Sequence, residues 1–174
     1  KAGAGAQPPS AADLPPVAIE LPLPSTIPSD YIPNRDLRLQ LYRRLAEVRS
    51  EEELAAIAIE FEDRFGPLPP EAENLLYQLR VRVRGRRAGA AGISVENGQI
   101  RIAFPDSLSD AELPDLGPDV RRSKRGLWLS RSVSPDWKAR LLTVLSVLVA
   151  RPREGGAGAS RPVPLGKTSP DRVR

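Results

Sequence analysis

The sequence predicts an α+β fold in which an N-terminal part of three helices precedes a small antiparallel sheet and a C-terminal helix. Apolar residues recur at helical spacing in three successive segments over residues 35–87. The pattern then changes to strict alternation around Asn97-Gly98, and an apolar helical stretch closes the sequence near Ala150. Helices and strands are therefore segregated along the chain, as is typical of this class.

Composition indicates one folded unit between two polar ends. Residues 1–16 consist mainly of Ala, Gly and Pro, so we expect a disordered linker. Residues 151–174 hold too few large apolar side chains to offset the entropy cost of ordering, so we expect a disordered tail. The folded unit is predicted over residues 17–150.

The first elements are an extended segment and a helix. Alternating apolar residues over 17–23 predict a strand, which Pro22 and Pro24 restrict to a sheet edge or a connector. Asn34 is a good N-cap for a helix from Arg35 to about Arg49. Its predicted apolar face consists of Leu37, Leu41, Leu45 and Val48.

The second helix has the clearest ends. Ser50 and Glu53 form a capping box, which predicts a start at Glu51. Gly66 and the proline after it end the helix at Phe65. The predicted buried stripe consists of Leu54, Ile57, Phe61 and Phe65.

A third helix is predicted from Pro70, at the first helical position, to about Arg87, before Gly89. Asn97-Gly98 between two alternating apolar segments then predicts a β-hairpin with a type I′ turn. A third strand over Gly126–Arg131 is expected to pair with the hairpin.

The last helix is predicted to start at Pro135, with Ser134 as its cap, and to run to about Ala150. Both tryptophans, Trp128 and Trp137, are interpreted as core residues.

Composition excludes several kinds of chemistry. The 174 residues include no Cys and no His, which rules out thiol nucleophiles, Ser-His-Asp triads and zinc sites built from these ligands. The candidate carboxylate pairs are Glu60 with Asp63, Glu51 to Glu53, and Asp106 with Asp110. None of them accompanies a recognisable nucleophile or a glycine-rich phosphate loop. We therefore expect a non-catalytic chain without a cofactor or metal site, and no segment is apolar and long enough to span a membrane.

Basic residues suggest a nucleic-acid contact. The formal net charge is +4, and Arg80, Arg84 and Arg87 would share one face of the third helix as a stripe for phosphates. No aromatic residues interleave this stripe, so a solvated helix end is the alternative interpretation. A second cluster at 121–125 fits a hairpin loop or a strand edge, and basic residues at a sheet edge often serve only to block aggregation.

Acidic residues mark a second candidate surface. Glu53, Glu60 and Asp63 lie on one side of the second helix, away from its apolar stripe. Either this edge is merely solvated or it binds a protein, and sequence patterns alone do not separate the two interpretations.

Several motifs together resemble a known family. They are Tyr-Ile-Pro-Asn-Arg at 31–35, Tyr-Arg-Arg-Leu-Ala at 42–46, Ser-Glu-Glu-Glu-Leu at 50–54 and Asp-Arg-Phe-Gly-Pro-Leu-Pro at 63–69. This arrangement is similar to the C-terminal domain of the bacterial transcription-repair coupling factors, the Mfd family. The resemblance is specific over about residues 17–80 and extends in order of elements to about 150.

The resemblance implies a regulatory domain of a larger cytoplasmic protein. Parent proteins of this kind translocate on DNA by means of motor domains that use ATP and Mg, displace stalled RNA polymerase and recruit UvrA through a UvrB-like module. The C-terminal domain is expected to pack on that module as a monomeric clamp and to hide its UvrA-binding surface. By motif position, Glu60 and Asp63 resemble the acidic contacts to the module, with Glu53 as a weaker member. An accessory basic module that contacts DNA backbone without sequence preference, through the run at 80–87 that contains Arg80, Arg84 and Arg87 and through the cluster at 121–125, is the competing hypothesis.

Overall fold

A computed structural model describes residues 16–105, 113–131 and 136–151. The elements in that part are β1 (Ala18–Glu20), α1 (Arg35–Glu47), α2 (Glu51–Phe65), α3 (Pro70–Ala88), β2 (Gly92–Glu96), β3 (Gln99–Ala103), β4 (Val120–Ser123), β5 (Gly126–Ser130) and α4 (Trp137–Ala150). The predicted α+β class is confirmed. The predicted linker and tail lie outside the described residues, except for Pro16 and Arg151.

Local capping sets the helix ends that the sequence predicted. The Oδ1 atom of Asn34 accepts a hydrogen bond from the backbone N–H of Leu37 at 3.0 Å, which starts α1. The helix ends at Glu47, two residues before the predicted end. Gly89 follows α3 in the left-handed conformation, with φ +78°.

The start of α4 differs from the prediction. It begins at Trp137, and the Asp136 carboxylate accepts a hydrogen bond from the N–H of Ala139 at 3.3 Å. Aspartate at this position satisfies an otherwise unpaired donor of the first turn, so it caps the helix as well as serine would. Ser134 and Pro135 lie outside the described residues.

The sheet is mixed rather than purely antiparallel. Its strand order is β1-β2-β3-β5-β4, and β1 pairs with β2 in parallel. The prediction of an antiparallel sheet was wrong at this edge because three helices separate β1 from β2, which gives the chain room for a crossover. The hairpin is confirmed: Asn97 and Gly98 both have positive φ, as a type I′ turn requires. β4 was not predicted as a strand with its own bounds, since its Val-Arg-Arg-Ser sequence lacks apolar alternation, but the basic cluster at 121–125 does lie in this edge strand and in the turn to β5.

Two apolar clusters share α3. The helical core consists of side chains from α1, α2 and one face of α3, and it includes Leu45, Leu54 and Phe61. The sheet core combines the strands, α4 and other positions of α3, and it includes Ile102 and Leu145. Because α3 contributes to both clusters, it fixes the orientation of the helical part relative to the sheet.

The two tryptophans have different environments. Trp137 packs against the sheet core, as predicted. Trp128 does not: Leu127 and Leu129 are fully buried on one face of β5, so Trp128 between them lies on the opposite face and is partly exposed. Its assignment to the core was wrong because side chains alternate along a strand.

Candidate protein-interaction face

Tyr31 of the first motif links the segment before α1 to the end of α2. Its hydroxyl donates hydrogen bonds to the carbonyl oxygens of Gly66 at 2.8 Å and Phe61 at 3.2 Å. The Tyr31 and Phe65 rings meet edge to face, with centroids 6.0 Å apart. Burial raises the pKa of Tyr31, and nearby Glu62 adds to the effect. The hydroxyl therefore stays a donor at neutral pH.

Arg38 and the motif residue Tyr42 hold the same segment against α1. Arg38 donates from Nη1 to the carbonyl oxygens of Ile32 at 2.6 Å and Pro33 at 3.0 Å. The Tyr42 hydroxyl accepts from the N–H of Ile27 at 2.6 Å. These motif residues thus position α1 and α2 relative to each other, and their role in the fold is structural.

The outward face of α2 is the candidate interaction surface. Leu54, Ile57 and Phe61 are buried in the helical core. On the opposite side, exposed Glu52, Ala56, Ile59 and Asp63 form one ridge at helical spacing, defined here as the α2 ridge. Ile59 is 68% exposed, one helical turn from Asp63. The α2 ridge therefore combines one exposed aliphatic side chain with carboxylates at helical spacing.

Sequence reasoning missed Ile59. Its position lies opposite the stripe of Leu54, Ile57 and Phe61, and this spacing was the signal that would have identified it. A long aliphatic side chain on the outward side of an otherwise acidic helix has no packing role in the described part of the chain.

Glu60, one of the predicted contacts, lies on the flank of α2 that faces α1. Its carboxylate pairs with Arg44 at 2.5 Å and with Arg64 at 2.8 Å, and the Glu60 side chain is 29% exposed. Hydrogen bonds from Arg44 and then Arg64 lower the pKa of Glu60. This carboxylate is therefore ionised. Its pair with Arg44 links α2 to α1, and its pair with Arg64 lies within α2. Part of the Glu60 side chain stays accessible.

The other two predicted contacts have different positions. The Glu53 carboxylate accepts the backbone N–H of Arg49 at 3.0 Å, and its own N–H donates to Ser50 Oγ at 3.1 Å, so it completes the capping box. Asp63 is exposed on the α2 ridge itself. The structure thus places all three on α2, with Asp63 as the carboxylate most open to a partner.

The predicted arginine stripe faces a carboxylate of the same chain. Arg84 donates from Nε and Nη2 to the two carboxylate oxygens of Glu51 at 2.8 and 2.7 Å. Its Nη1 donates to the Leu142 carbonyl at 3.1 Å and to Ser146 Oγ at 2.8 Å. The hydrogen bond to Arg84 is the main reason that the pKa of Glu51 is lowered. Arg84 therefore ties α2 and α4 to α3.

The remaining stripe residues lie around the same carboxylate. Arg80 Nε is 4.0 Å from Glu51, and its side chain is 44% exposed. Arg87 is close enough to contribute electrostatically to the lowered pKa of Glu51. The stripe thus exists as predicted, but the acidic start of α2 offsets part of its positive potential.

Two features are absent from the described ranges. No group of three or more metal-ligating side chains lies together among these residues. None of the helices found there is both long enough and apolar enough to cross a bilayer. The candidate pair Asp106 and Asp110 lies outside the described residues.

Comparison with known proteins identifies a family that this chain resembles throughout much of its length. The model of the TRCF domain matches residues 21–112. The transcription-repair-coupling factor of Mycobacterium bovis is 36% identical over 145 residues, which cover 83% of this chain and 10% of that protein. The factor of Escherichia coli K12 is 41% identical over 100 residues, or 56% of this chain and 9% of that protein. The chain thus spans about a tenth of the length of these relatives.

A solved structure shows the same fold. The crystal structure of a C-terminal domain of transcription-repair coupling factor superposes with a TM-score of 0.66 at 16% identity, covering 77% of this chain and 92% of that domain. The described part of this chain therefore shares the fold of that domain.

Proposed function

The chain belongs to the TRCF domain family, and from this premise we propose that it is a non-catalytic regulatory domain of a transcription-repair coupling factor. In this proposal the domain packs on the UvrB-like module of its own parent protein and covers the surface that binds UvrA. The parent supplies the ATP- and Mg-dependent motor, the contact with DNA and the contact with RNA polymerase, in the cytoplasm. The domain itself acts as a monomeric clamp.

The exposed α2 ridge is the observation that carries the proposal. The α2 ridge presents the exposed carboxylates of Glu52 and Asp63, so a partner surface rich in arginine is electrostatically complementary. Ile59 adds an apolar contact at the centre of the ridge. A partner of this kind requires an apolar recess bordered by guanidinium groups.

The expected energy suits a reversible clamp. Burying the exposed part of Ile59 contributes about 1–2 kcal/mol. An ion pair at a solvent-exposed carboxylate such as Asp63 adds roughly 0.2–1 kcal/mol. The total lies in the range of roughly 1–3 kcal/mol that is typical of coupling between sites, so engagement of the motor is able to open the clamp.

Capture of UvrA by the full-length parent tests the proposal. Charge reversal of Asp63 (Asp63→Lys), alone and with Glu60→Lys, is expected to leave the domain folded and to increase UvrA binding. The matched control is Glu47→Lys, since Glu47 is an exposed carboxylate on the neighbouring helix α1. Unchanged UvrA binding in both Asp63 variants would contradict the proposal.

Contact with DNA backbone through Arg80, Arg84 and Arg87 remains the second candidate. The observation in its favour is that Arg80 and Arg84 stay on one side of α3, with the Arg80 side chain 44% exposed. Since Arg84 is engaged with Glu51, a phosphate at this place would have to compete with a bidentate carboxylate. A DNA shift that Arg80→Gln weakens would support this second function.

A further inference from the structure

The face of the sheet that is turned away from the sheet core carries side chains that neither core uses. Strand register places Arg101 of β3 opposite Trp128 of β5, and Trp128 opposite Arg121 of β4. Residues directly opposite each other in adjacent strands project from the same face. Trp128 is therefore flanked on both sides by arginines, in a row across three strands.

Both guanidinium groups are held in place by neighbours. The Cζ atom of Arg101 lies 5.7 Å from the centre of the Trp128 ring, and Arg101 Nη1 donates to Glu96 Oε1 at 3.1 Å. Arg121 Nη2 donates to Gln99 Oε1 at 2.8 Å. The Arg101 side chain is 38% exposed, Arg121 is exposed and the tryptophan is partly exposed. The three side chains thus form a preorganised surface that a ligand is able to reach.

The charge around this surface is positive. Exposed Lys124 and Arg125 lie in the turn that joins β4 to β5, whereas Arg122 lies opposite buried Leu127 and projects from the other face. The carboxylates nearest in the sheet are Glu96, which is already ion-paired, and Glu20 at the far edge strand. Asp115 and Asp119, in the segment before β4, are bonded to the Gly117 N–H and to Arg140 respectively. A polyanion is therefore the complementary partner.

We propose that this sheet face binds single-stranded DNA, with a base stacked on Trp128 and the flanking phosphates held by Arg101 and Arg121. Aromatic rings on a basic sheet surface recognise unpaired bases because every base offers a flat π-face, and nearby guanidinium groups add to the attraction. Lys124 lies three residues after Arg121 and Arg125 three residues before Trp128, so each is about 10 Å further along its strand direction and within reach of the next phosphates. In a duplex the bases are already stacked on one another, so Trp128 selects the unpaired strand.

Oligothymidine titration of the whole 174-residue chain tests this proposal. Fluorescence anisotropy of a labelled 15-mer is expected to show binding that weakens with salt. Since loss of a stacked base weakens binding by at least about fivefold, Trp128→Leu is expected to show at least this loss, while Trp128→Phe retains most of the affinity. Arg101→Gln and Arg121→Gln are expected to weaken binding and to reduce its salt dependence.

The control separates this face from general basicity. Arg43 is an exposed arginine on α1, and Arg43→Gln removes the same charge far along the chain from the sheet. It is expected to leave the affinity nearly unchanged. Tryptophan fluorescence gives a second readout: DNA is expected to quench the wild-type emission, and Trp128→Phe is expected to lose that quenching while Trp137 still emits.

Four results would overturn the proposal. One is no binding to the 15-mer at low salt, and another is equal weakening by Trp128→Leu and by Arg43→Gln. A third is equal affinity for a duplex of the same length. The fourth is tighter binding of oligouridine or of an oligoglutamate peptide with the same dependence on Trp128, which would assign the face to RNA or to an acidic protein segment. The α2 ridge plays no part in this assay, so its outcome is independent of the clamp proposal.

Discussion

Arg84 provides a sensitive test of how the two cores are joined. Replacement by alanine (Arg84→Ala) removes two hydrogen bonds to the Glu51 carboxylate and two to acceptors on α4. It also leaves Glu51 partly buried, with Arg80 at 4.0 Å and Arg87 as its remaining basic neighbours. The variant therefore loses the polar link among α2, α3 and α4 while the apolar contacts of both cores remain.

The expected loss of stability follows from how exposed the Arg84 and Glu51 side chains are. Fully exposed ion pairs contribute roughly 0.2–1 kcal/mol, whereas hydrogen bonds to charged groups that are shielded from water contribute roughly 1.5–3 kcal/mol. The Arg84 and Glu51 side chains are 24% and 26% exposed, so they lie between these limits and nearer the second. We expect Arg84→Ala to lower the free energy of unfolding by about 2 kcal/mol and Tm by roughly 5–10 °C.

Urea denaturation followed by circular dichroism measures this loss. A double-mutant cycle with Glu51→Ala is expected to give a coupling energy of about 1 kcal/mol between the two side chains. Arg80→Ala is the matched control, because Arg80 is more exposed and further from Glu51; we expect a loss below about 0.5 kcal/mol. The reasoning is refuted if Arg84→Ala costs no more than Arg80→Ala, or if the coupling energy is near zero.

Three further perturbations test other parts of the structure. Tyr31→Phe removes the hydroxyl that donates to Gly66 and is expected to lower the free energy of unfolding by about 1 kcal/mol, measured with urea; an unchanged midpoint would contradict a structural role for this hydroxyl. Gly126→Ala places a Cβ atom 2.9 Å from the backbone oxygen of Ile102, so we expect the free energy of unfolding to fall by about 1–3 kcal/mol and calorimetry to show a lower Tm. An unchanged Tm would mean that β3 and β5 move apart without cost. The third concerns pH: because Arg84 holds the pKa of Glu51 below its usual range, the ionised carboxylate stabilises the fold above its ordinary pKa of about 4.3, and this contribution is lost as pH falls through the depressed value. The urea midpoint is therefore expected to fall more steeply between about pH 5 and pH 3 in the wild type than in Glu51→Gln, and parallel curves would refute this assignment.

Local signals made the helices predictable. The ends of α2 depend on Ser50, Glu53 and Gly66, which act within a few residues of themselves, so sequence alone located them. The type I′ turn depends only on the ability of Asn97 and Gly98 to adopt positive φ. In each case the physical cause lies in the residues that show the pattern.

Long-range contacts were not predictable in the same way. The parallel pairing of β1 with β2 depends on how the three intervening helices pack, and the sequence of neither strand indicates it. The partner of Arg84 is Glu51, 33 positions earlier, so helical spacing showed the arginine stripe without its neutralising carboxylate. Trp128 was misassigned because Leu-Trp-Leu is apolar throughout and hides the alternation of faces.

The candidate interaction face on α2 was predictable only in part. The acidic side of α2 was predicted from helical spacing, and the structure places Asp63 on it. The engagement of Glu60 with Arg44 required the packing of α1 against α2. Ile59 was recoverable from the sequence, since its position opposite the buried stripe needs only the helical period.

Titration calorimetry with the parent protein lacking this domain tests the central claim most directly. Adding the chain back in trans is expected to show binding that weakens with salt. Ile59→Ala is expected to reduce the affinity about 5- to 30-fold and Asp63→Lys several-fold, while Glu47→Lys leaves it unchanged. Absence of binding, or equal affinity of all three variants, would contradict the account that the α2 ridge docks on the parent.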